Sequence, residues 1–202
     1  MKLARVTHLI RTFVEPEFTG YRQKGRLYHK TPVDRILRGY YFDQSRHPEI
    51  LRLVAFVQPL YVPRNDMPFI LTYRVWDNVV PEVDEADTMD DVVRRMKYYE
   101  KFLNLRAEPA DLISGRSVFD PDYPINDGEY HREIRVYSQI AAGDYRGARD
   151  ALISFRKFLK PHLEWTNPHP GQWLKDMDSR AAALEEALRA NQDALRTFAA
   201  AE

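Results

Sequence analysis

Histidine, tyrosine and arginine residues between positions 28 and 47 are the ones whose types could support chemistry. His29 and His47 supply imidazoles, which act as general bases near neutral pH. Arg35 and Arg38 supply guanidinium groups, which hold anionic oxygens. Three phenols accompany them: Tyr28, Tyr40 and Tyr41. If a sheet brought these groups together, they would form the site of an enzyme, which is one of three functions that we weigh.

The simpler explanation is that these side chains decorate a half-covered sheet, where tyrosines and arginines are common, and we favour it. The chain contains no Gly-x-Ser-x-Gly elbow and no dinucleotide fingerprint. Its histidines are never three or four residues apart, so no helix presents a ready metal pair: His8, His29, His47, His131, His162 and His169. We therefore predict no cofactor, no metal and no catalytic residue.

Nucleic-acid binding is the second function, because the same region combines cations with aromatic rings. The cations would meet phosphates: Arg22, Lys24, Arg26, Arg35 and Arg38. The rings would stack on bases: Tyr21, Tyr28, Tyr40 and Tyr41. Against this alternative stands the net charge of zero, since dedicated nucleic-acid binders are usually basic.

Charges are nevertheless unevenly distributed along the chain. Residues 1–60 hold eleven Lys and Arg against five acids, whereas residues 81–130 hold thirteen acids against six bases. This segregation predicts either a positive and a negative face or two segments that pack together and cancel. The sequence leaves both outcomes open.

The elements that must position these residues begin with a helix and a sheet. Apolar residues at helical spacing predict a helix over the first fourteen residues, ended by Pro16. Strands are predicted near residues 27–29 and at residues 36–42, 51–62 and 69–76, the third being the most buried because its centre is an unbroken apolar run. Pairing should end or bulge near Pro59. No Asn-Gly or Asp-Gly pair lies between these strands, so we expect hairpins with longer loops. The pattern indicates an α+β fold around an antiparallel four-stranded meander.

Helices follow the sheet. A capping-box pattern at Thr88 and Asp91 predicts the start of a helix whose apolar stripe runs from Met89 to Leu103. We assign residues 1–106 to the sheet domain with its covering helix, 107–128 to an irregular connection, and 129–202 to a helical extension packed on the same core. Asn126 or Asp127 should cap the first helix of that extension.

Residues 129–160 predict a helical hairpin in which Gly143 ends one helix and Asp144 caps the next. Its connection, AAGDYRGARDAL at residues 141–152, is similar to the turn inside a tetratricopeptide unit. A shift of one repeat, about 34 residues, finds no matching turn, so we expect a lone helix pair and not a solenoid.

A last helix is predicted from Pro170 to about Ala200, with apolar residues at heptad steps. The members of this seam are Leu174, Met177, Ala181, Leu184, Leu188, Asn191, Leu195 and Phe198. Its partner could be the hairpin of the same chain, which we favour, or the same helix of a second subunit in a homodimer, with Asn191 fixing the register.

Three segments of the first seventy-five residues, GYRQKGRLYHK, ILRGYYFDQ and LVAFVQPLYVP, occur in an order that resembles uncharacterised bacterial domains of the toxin-immunity type. This resemblance implies the third function: a cytosolic protein that binds and occludes a toxin. It also implies a docking surface that mimics phosphate on a basic nuclease site, for which the candidates are Asp84, Glu85, Asp87, Asp90 and Asp91.

The cellular compartment follows from what the chain lacks. Without cysteine it can form neither disulfides nor thiolate sites, which fits a reducing cytosol. Arg5, His8 and Arg11 interrupt the apolar run that a signal peptide requires, and no window reaches the length of a membrane span. We therefore expect a cytoplasmic protein without membrane contact, most of all a protein-binding module.

Overall fold

The computed structural model describes residues 1–44, 49–63, 71–113, 128–165 and 171–199, without the side chains of 44, 165 and 192–199. The chain divides into two compact units, the first built mainly from Met1–Asp111 and the second mainly from Ile125–Glu202. The fold is α+β, as predicted, because an antiparallel sheet and α-helices are both present.

The sheet of the first unit has five strands in the order β1-β2-β3-β4-β5, all antiparallel: β1 Tyr21–Lys24, β2 Leu27–Lys30, β3 Ile36–Gln44, β4 Ile50–Pro59 and β5 Leu71–Val79. The prediction of four strands was therefore one short, since β1 was not foreseen. Lys24 pairs with Leu27, so a two-residue turn joins β1 and β2. Gly25 adopts a positive φ of 61° in this turn, which lets so short a loop form without an Asn-Gly or Asp-Gly pair.

Strand β4 is paired on both sides and largely buried, which confirms the interpretation of its apolar run. It pairs with β3 on one side and β5 on the other, and Leu53, Phe56 and Val57 are fully buried. The strand ends at Pro59, as expected of a residue that cannot donate to the ladder. Strand β5 lies later in the chain than predicted, and Phe69 falls outside the described residues.

The N-terminal helix is shorter and less regular than its spacing suggested. An α-helix, α1, spans Leu3–Leu9, and a π-helical turn at Ile10–Val14 and a 3-10 turn at Glu15–Glu17 follow it. The helical path still stops around Pro16, and Phe18 already has extended backbone angles. The buried residues Val6, Leu9, Ile10 and Val14 face the core of this unit.

Helix α2, Glu85–Asn104, covers one face of the sheet, which we call the inner face. It begins three residues before the predicted cap at Thr88, whose N–H already bonds the carbonyl oxygen of Asp84 at 3.0 Å. The capping-box prediction was therefore wrong, because Asp84 occupies the N-cap position, without a side-chain cap. The predicted stripe is largely buried: Met89, Val92, Val93, Met96 and Leu103.

The second unit contains three helices: α3 Glu129–Ala141, α4 Tyr145–Trp165 and α5 Gln172–Ala199. The hairpin turn is as predicted, since Gly143 has a φ of 81° and the Asp144 carboxylate accepts a hydrogen bond from the Gly147 N–H at 2.9 Å. Helix α4 continues past the predicted end at residue 160, through Pro161. The predicted terminal residues Asn126, Asp127 and Pro170 lie outside the described residues.

The heptad seam of α5 packs within the chain along the part whose side chains are described. Leu174, Met177, Ala181 and Leu188 belong to one buried cluster with α3 and α4 side chains such as Val136, Leu152, Phe155 and Leu159. Asn191 is exposed, and the side chains of Leu195 and Phe198 are not described. The homodimer through this helix stays a prediction.

Candidate protein-binding surfaces

The acidic segment predicted as a docking surface lies at the start of α2. Asp84 is the N-cap residue, and Asp87 and Asp90 follow on the first two turns; all three are exposed. Carboxylates at this end of a helix interact favourably with its dipole. These three residues form an acidic patch that faces solvent.

The other two predicted acids are engaged within the protein. Glu85 accepts a hydrogen bond from Arg5 at 3.3 Å and lies 3.7 Å from the His8 imidazole. Asp91 pairs with Arg94 and with Arg95, the latter at 3.1 Å. Of the five predicted residues, three therefore remain as an exposed acidic patch, and the exposed Arg94 and Arg95 follow on the next turn of the same helix.

The tyrosines of the nucleic-acid alternative do not form an exposed stacking face. Tyr28 and Tyr40 are 1% and 0% exposed, and both lie on the inner face of the sheet. The Tyr21 ring stacks on Tyr28 at 5.1 Å and on Tyr40 at 6.1 Å, and Phe18 meets all three edge-on. These rings are core residues, so Tyr28 and Tyr40 are not accessible to bases.

The hydroxyl groups of this aromatic cluster point to backbone carbonyls or into the interior. Tyr28 donates to the Phe18 carbonyl at 3.3 Å, and Tyr40 donates to the Met96 carbonyl of α2 at 2.5 Å. Burial raises the pKa of Tyr28 to about 12, with a further rise from Glu15 and Glu100. Burial likewise raises the pKa of Tyr21 and Tyr40 well above the ordinary value.

The cations of that alternative are divided between opposite faces of the sheet. Arg38 bonds the Leu103 carbonyl at the end of α2, and Arg26 bonds the carbonyls of Met1 and Phe42. Arg22 and Lys24 lie on the outer face, where they line a shallow depression of about 680 Å³ together with His29. Two of the predicted cations thus remain on one surface, with none of the buried tyrosines beside them.

The residues proposed for an enzyme are also separated. His29 pairs in register with Gly39, the neighbour of Arg38, so His29 and Arg38 point to opposite faces of the sheet. Arg35 precedes β3 and is exposed, Tyr41 is half-buried on the outer face, and His47 lies outside the described residues. The described members therefore do not converge on one cavity.

A groove between α4 and α5 is a binding surface that the sequence did not predict. It has a volume of about 770 Å³. Its floor is apolar, formed by Leu152, Leu163 and Leu188, and Ile153 stands at its edge with 68% of its surface exposed. We call this surface the α4–α5 groove. A ligand in this groove would cover Ile153 together with the apolar floor.

Helices α4 and α5 form the two walls of the groove, and the contacts between them show their relative direction. Arg149 donates to the Leu188 carbonyl at 3.1 Å, and Arg156 pairs with Glu185, so α4 and α5 run antiparallel along the groove. The lining residues of α4 extend from Arg149 to Glu164. At a rise of about 1.5 Å per residue, this stretch is roughly 22 Å long, the length of a helix of about four turns.

The two walls differ in charge. On α4, Lys157 has no carboxylate partner among the described side chains, and Lys160 reaches Glu164 only at 4.0 Å. On α5, Glu185 pairs with Arg189 at 3.1 Å and also with Arg156 of α4. The end nearest the α4–α5 connection carries the remaining acids, Glu164 and Asp178. The groove is therefore cationic along α4 and acidic at one end.

The sequence contained one signal of this groove. The core stripe of α4 includes Ala148, Leu152 and Phe155, and Ile153 lies off that stripe, between the half-buried Arg149 and the exposed Lys157. An isoleucine on the polar side of an amphipathic helix indicates a second apolar contact. Which other side chains would join it depended on the register between α4 and α5, which spacing within one helix does not reveal.

Comparisons with known proteins give no relative: no family model, no curated protein and no solved structure matches the chain. Among the helices in the described part of the chain, none is both long and apolar enough to cross a bilayer. The described residues also contain no group of three histidine or acidic side chains that could hold a metal ion.

Proposed function

We propose that this protein is a non-catalytic protein-binding module, and that it binds a helix of its partner in the α4–α5 groove. The observation that carries the proposal is the groove itself. Its α4 lining spans about four turns, Leu152, Leu163 and Leu188 form its floor, Ile153 is exposed at its edge, and its rims are charged. Amphipathic helices bind to grooves of this kind by laying their apolar face on the floor. Rim charges then set orientation and choice of partner.

The helical unit is suited to this task. Its own core is complete beneath the groove, because Leu152 and Leu188 are at most 5% exposed and pack among the buried residues of three helices. A docked helix would add a fourth member to a bundle whose core side chains are already buried without it. Binding therefore needs no rearrangement of α4 or α5, which keeps its entropic cost low.

A displayed library of amphipathic peptides of about 15 residues, the length that matches the groove, tests the proposal. Selection should enrich sequences with apolar residues at i, i+3, i+4 and i+7. Ile153→Asp should weaken the binding of an enriched peptide at least about tenfold, because a charge replaces an apolar side chain that the peptide would bury in the complex. Val83→Asp is the matched control, since Val83 is 95% exposed and does not line the groove. Equal affinity of the two variants, or no enriched helix, would overturn the proposal.

The acidic patch supports a second candidate, the toxin-neutralising function. Asp84, Asp87 and Asp90 are exposed together at a helix N-terminus, where they could dock on the basic active site of a nuclease. The test is capture of a partner from the host by the wild-type protein and by a triple Asp→Lys variant. The candidate requires that the triple variant lose the partner while Asp91→Asn, at a residue already paired with Arg94 and Arg95, retains it.

A further inference from the structure

The two rims of the α4–α5 groove differ in a way that specifies the partner's chemistry. Lys157 and Lys160 are exposed on the α4 rim, and Lys157 has no acidic partner among the side chains described. The α5 lining residues carry two carboxylates, Asp178 and Glu185, and one cation, Arg189. Glu185 pairs with Arg189 and also with Arg156 of α4. Among the described lining residues, the excess of positive charge therefore lies on the α4 rim, where Arg149, Arg156, Lys157 and Lys160 stand against the one acid Glu164.

The groove is also polarised along its length. Glu164, in the last turn of α4, and Asp178, in the second turn of α5, lie at the end nearest the connection of the two helices. Arg149 and Arg189 lie at the opposite end. A helix carries partial positive charge at its N-terminus and partial negative charge at its C-terminus. The acidic end thus favours the N-terminus of a docked helix, and the basic end favours its C-terminus.

We propose that the occupant is an amphipathic helix of a partner protein that carries carboxylates on the flank facing α4 and lies parallel to α5. This inference rests on the proposed function, because it names the ligand of the same groove. Parallel to α5 means antiparallel to α4, with the partner's N-terminus beside Glu164 and Asp178. Its acidic flank would contact Lys157 and Lys160.

Three peptides about 15 residues long, sharing one apolar face, test the charge assignment. One has glutamates on the flank that faces α4 in the parallel orientation, one has them on the other flank, and one has glutamines on both. The first should bind about five- to tenfold more tightly than the second at low salt, and the difference should shrink as salt screens it. Binding of the glutamine peptide with equal affinity would overturn the charge assignment and leave the proposed function standing.

Charge reversal in the protein provides the reciprocal test. Lys157→Glu with Lys160→Glu should abolish the preference for the first peptide and create one for a lysine-flanked peptide. The matched control is Arg135→Glu with Lys175→Glu, which changes net charge equally at exposed positions that do not line the groove. If the control changed the preference as much, net charge and not the α4 rim would be responsible, and the assignment would be wrong.

Direction is measured with nitroxide labels at either end of the first peptide. A label at the N-terminus should broaden the amide signals of Leu163 and Asp178, and a label at the C-terminus those of Arg149 and Arg189. The reversed pattern would contradict the parallel orientation. If none of the peptides bound, or if Ile153→Asp did not weaken the binding of those that did, the proposed function itself would fail.

Discussion

Arg180 on α5 donates a hydrogen bond from Nε to Oε1 of Glu133 on α3 over 2.7 Å, and the Glu133 side chain is only 1% exposed. A carboxylate this deep in a helical bundle has lost most of its hydration, and desolvation of a buried ion costs several kcal/mol. The adjacent guanidinium offsets that cost. The pair therefore ties the first and last helices of the second unit together.

Removal of Arg180 should destabilise the helical unit strongly. Arg180→Ala removes the guanidinium that bonds the buried carboxylate and should lower the free energy of unfolding by about 3 kcal/mol. The measurement is urea unfolding followed by far-UV circular dichroism. Arg189→Ala is the control, because its pair with Glu185 is exposed and should contribute less than about 1 kcal/mol. Equal effects of the two substitutions would show that the buried pair stabilises the fold no more than the exposed pair does.

The hydroxyl of Tyr40 should contribute measurably to the packing of α2 on the sheet. Tyr40→Phe removes the bond to the Met96 carbonyl and nothing else, so we expect a loss of about 1 kcal/mol in the free energy of unfolding. Tyr98→Phe provides the comparison, since Tyr98 is 54% exposed and its substitution should change stability by less than about 0.5 kcal/mol. An unchanged unfolding midpoint for Tyr40→Phe would show that this hydrogen bond does not stabilise the packing of α2 on the sheet.

Alkaline pH should destabilise the sheet unit through its buried tyrosines. Burial raises the pKa of Tyr28 to about 12 from the ordinary value of 10.0, so the folded state keeps the phenol proton after the unfolded chain has lost it. The free energy of unfolding therefore keeps its full value with respect to Tyr28 below pH 10, and it falls as the pH rises from 10 towards 12. In this range, each buried tyrosine should lower the free energy of unfolding by up to about 1.4 kcal/mol per pH unit. Urea unfolding of Tyr28→Phe should show a shallower alkaline decline than wild type; equal slopes would refute this account.

The elements that could be predicted are those whose signal lies within one segment. The apolar run of β4 and the seam of α5 both report burial directly, and Gly143 with Asp144 marks a turn by local backbone chemistry. Strand β1 was not predicted, because its side chains Arg22, Gln23 and Lys24 give it the composition of a loop. Its pairing with β2 is made by backbone groups. A sequence pattern does not show hydrogen bonds to a neighbouring strand.

The candidate surfaces were harder to predict because they depend on which face of an element is covered. Alternation along β3 separates Tyr40 from Tyr41, but only the position of α2 decides that Tyr40 is the buried one. The same holds for Glu85, which Arg5 reaches from a helix eighty residues away in sequence. Residue types therefore indicated where charge and aromatic rings would concentrate, and tertiary contacts decided which of them reach solvent.

The close approach of β2 and β3 at Gly39 should tolerate no side chain. A Cβ atom at this position would lie 2.3 Å from the Tyr28 carbonyl oxygen and 2.7 Å from the His29 Cα, both backbone atoms that cannot move aside alone. Gly39→Ala should therefore push β2 away from the sheet and lower the free energy of unfolding by about 2–3 kcal/mol. Gly25→Ala separates this clash from a general effect of glycine replacement, because a Cβ at Gly25 meets nothing within 4 Å and only its positive φ is strained, at about 1 kcal/mol. Urea unfolding of both variants should rank Gly39→Ala as the more destabilised, and the opposite order would contradict the register of β2 on β3.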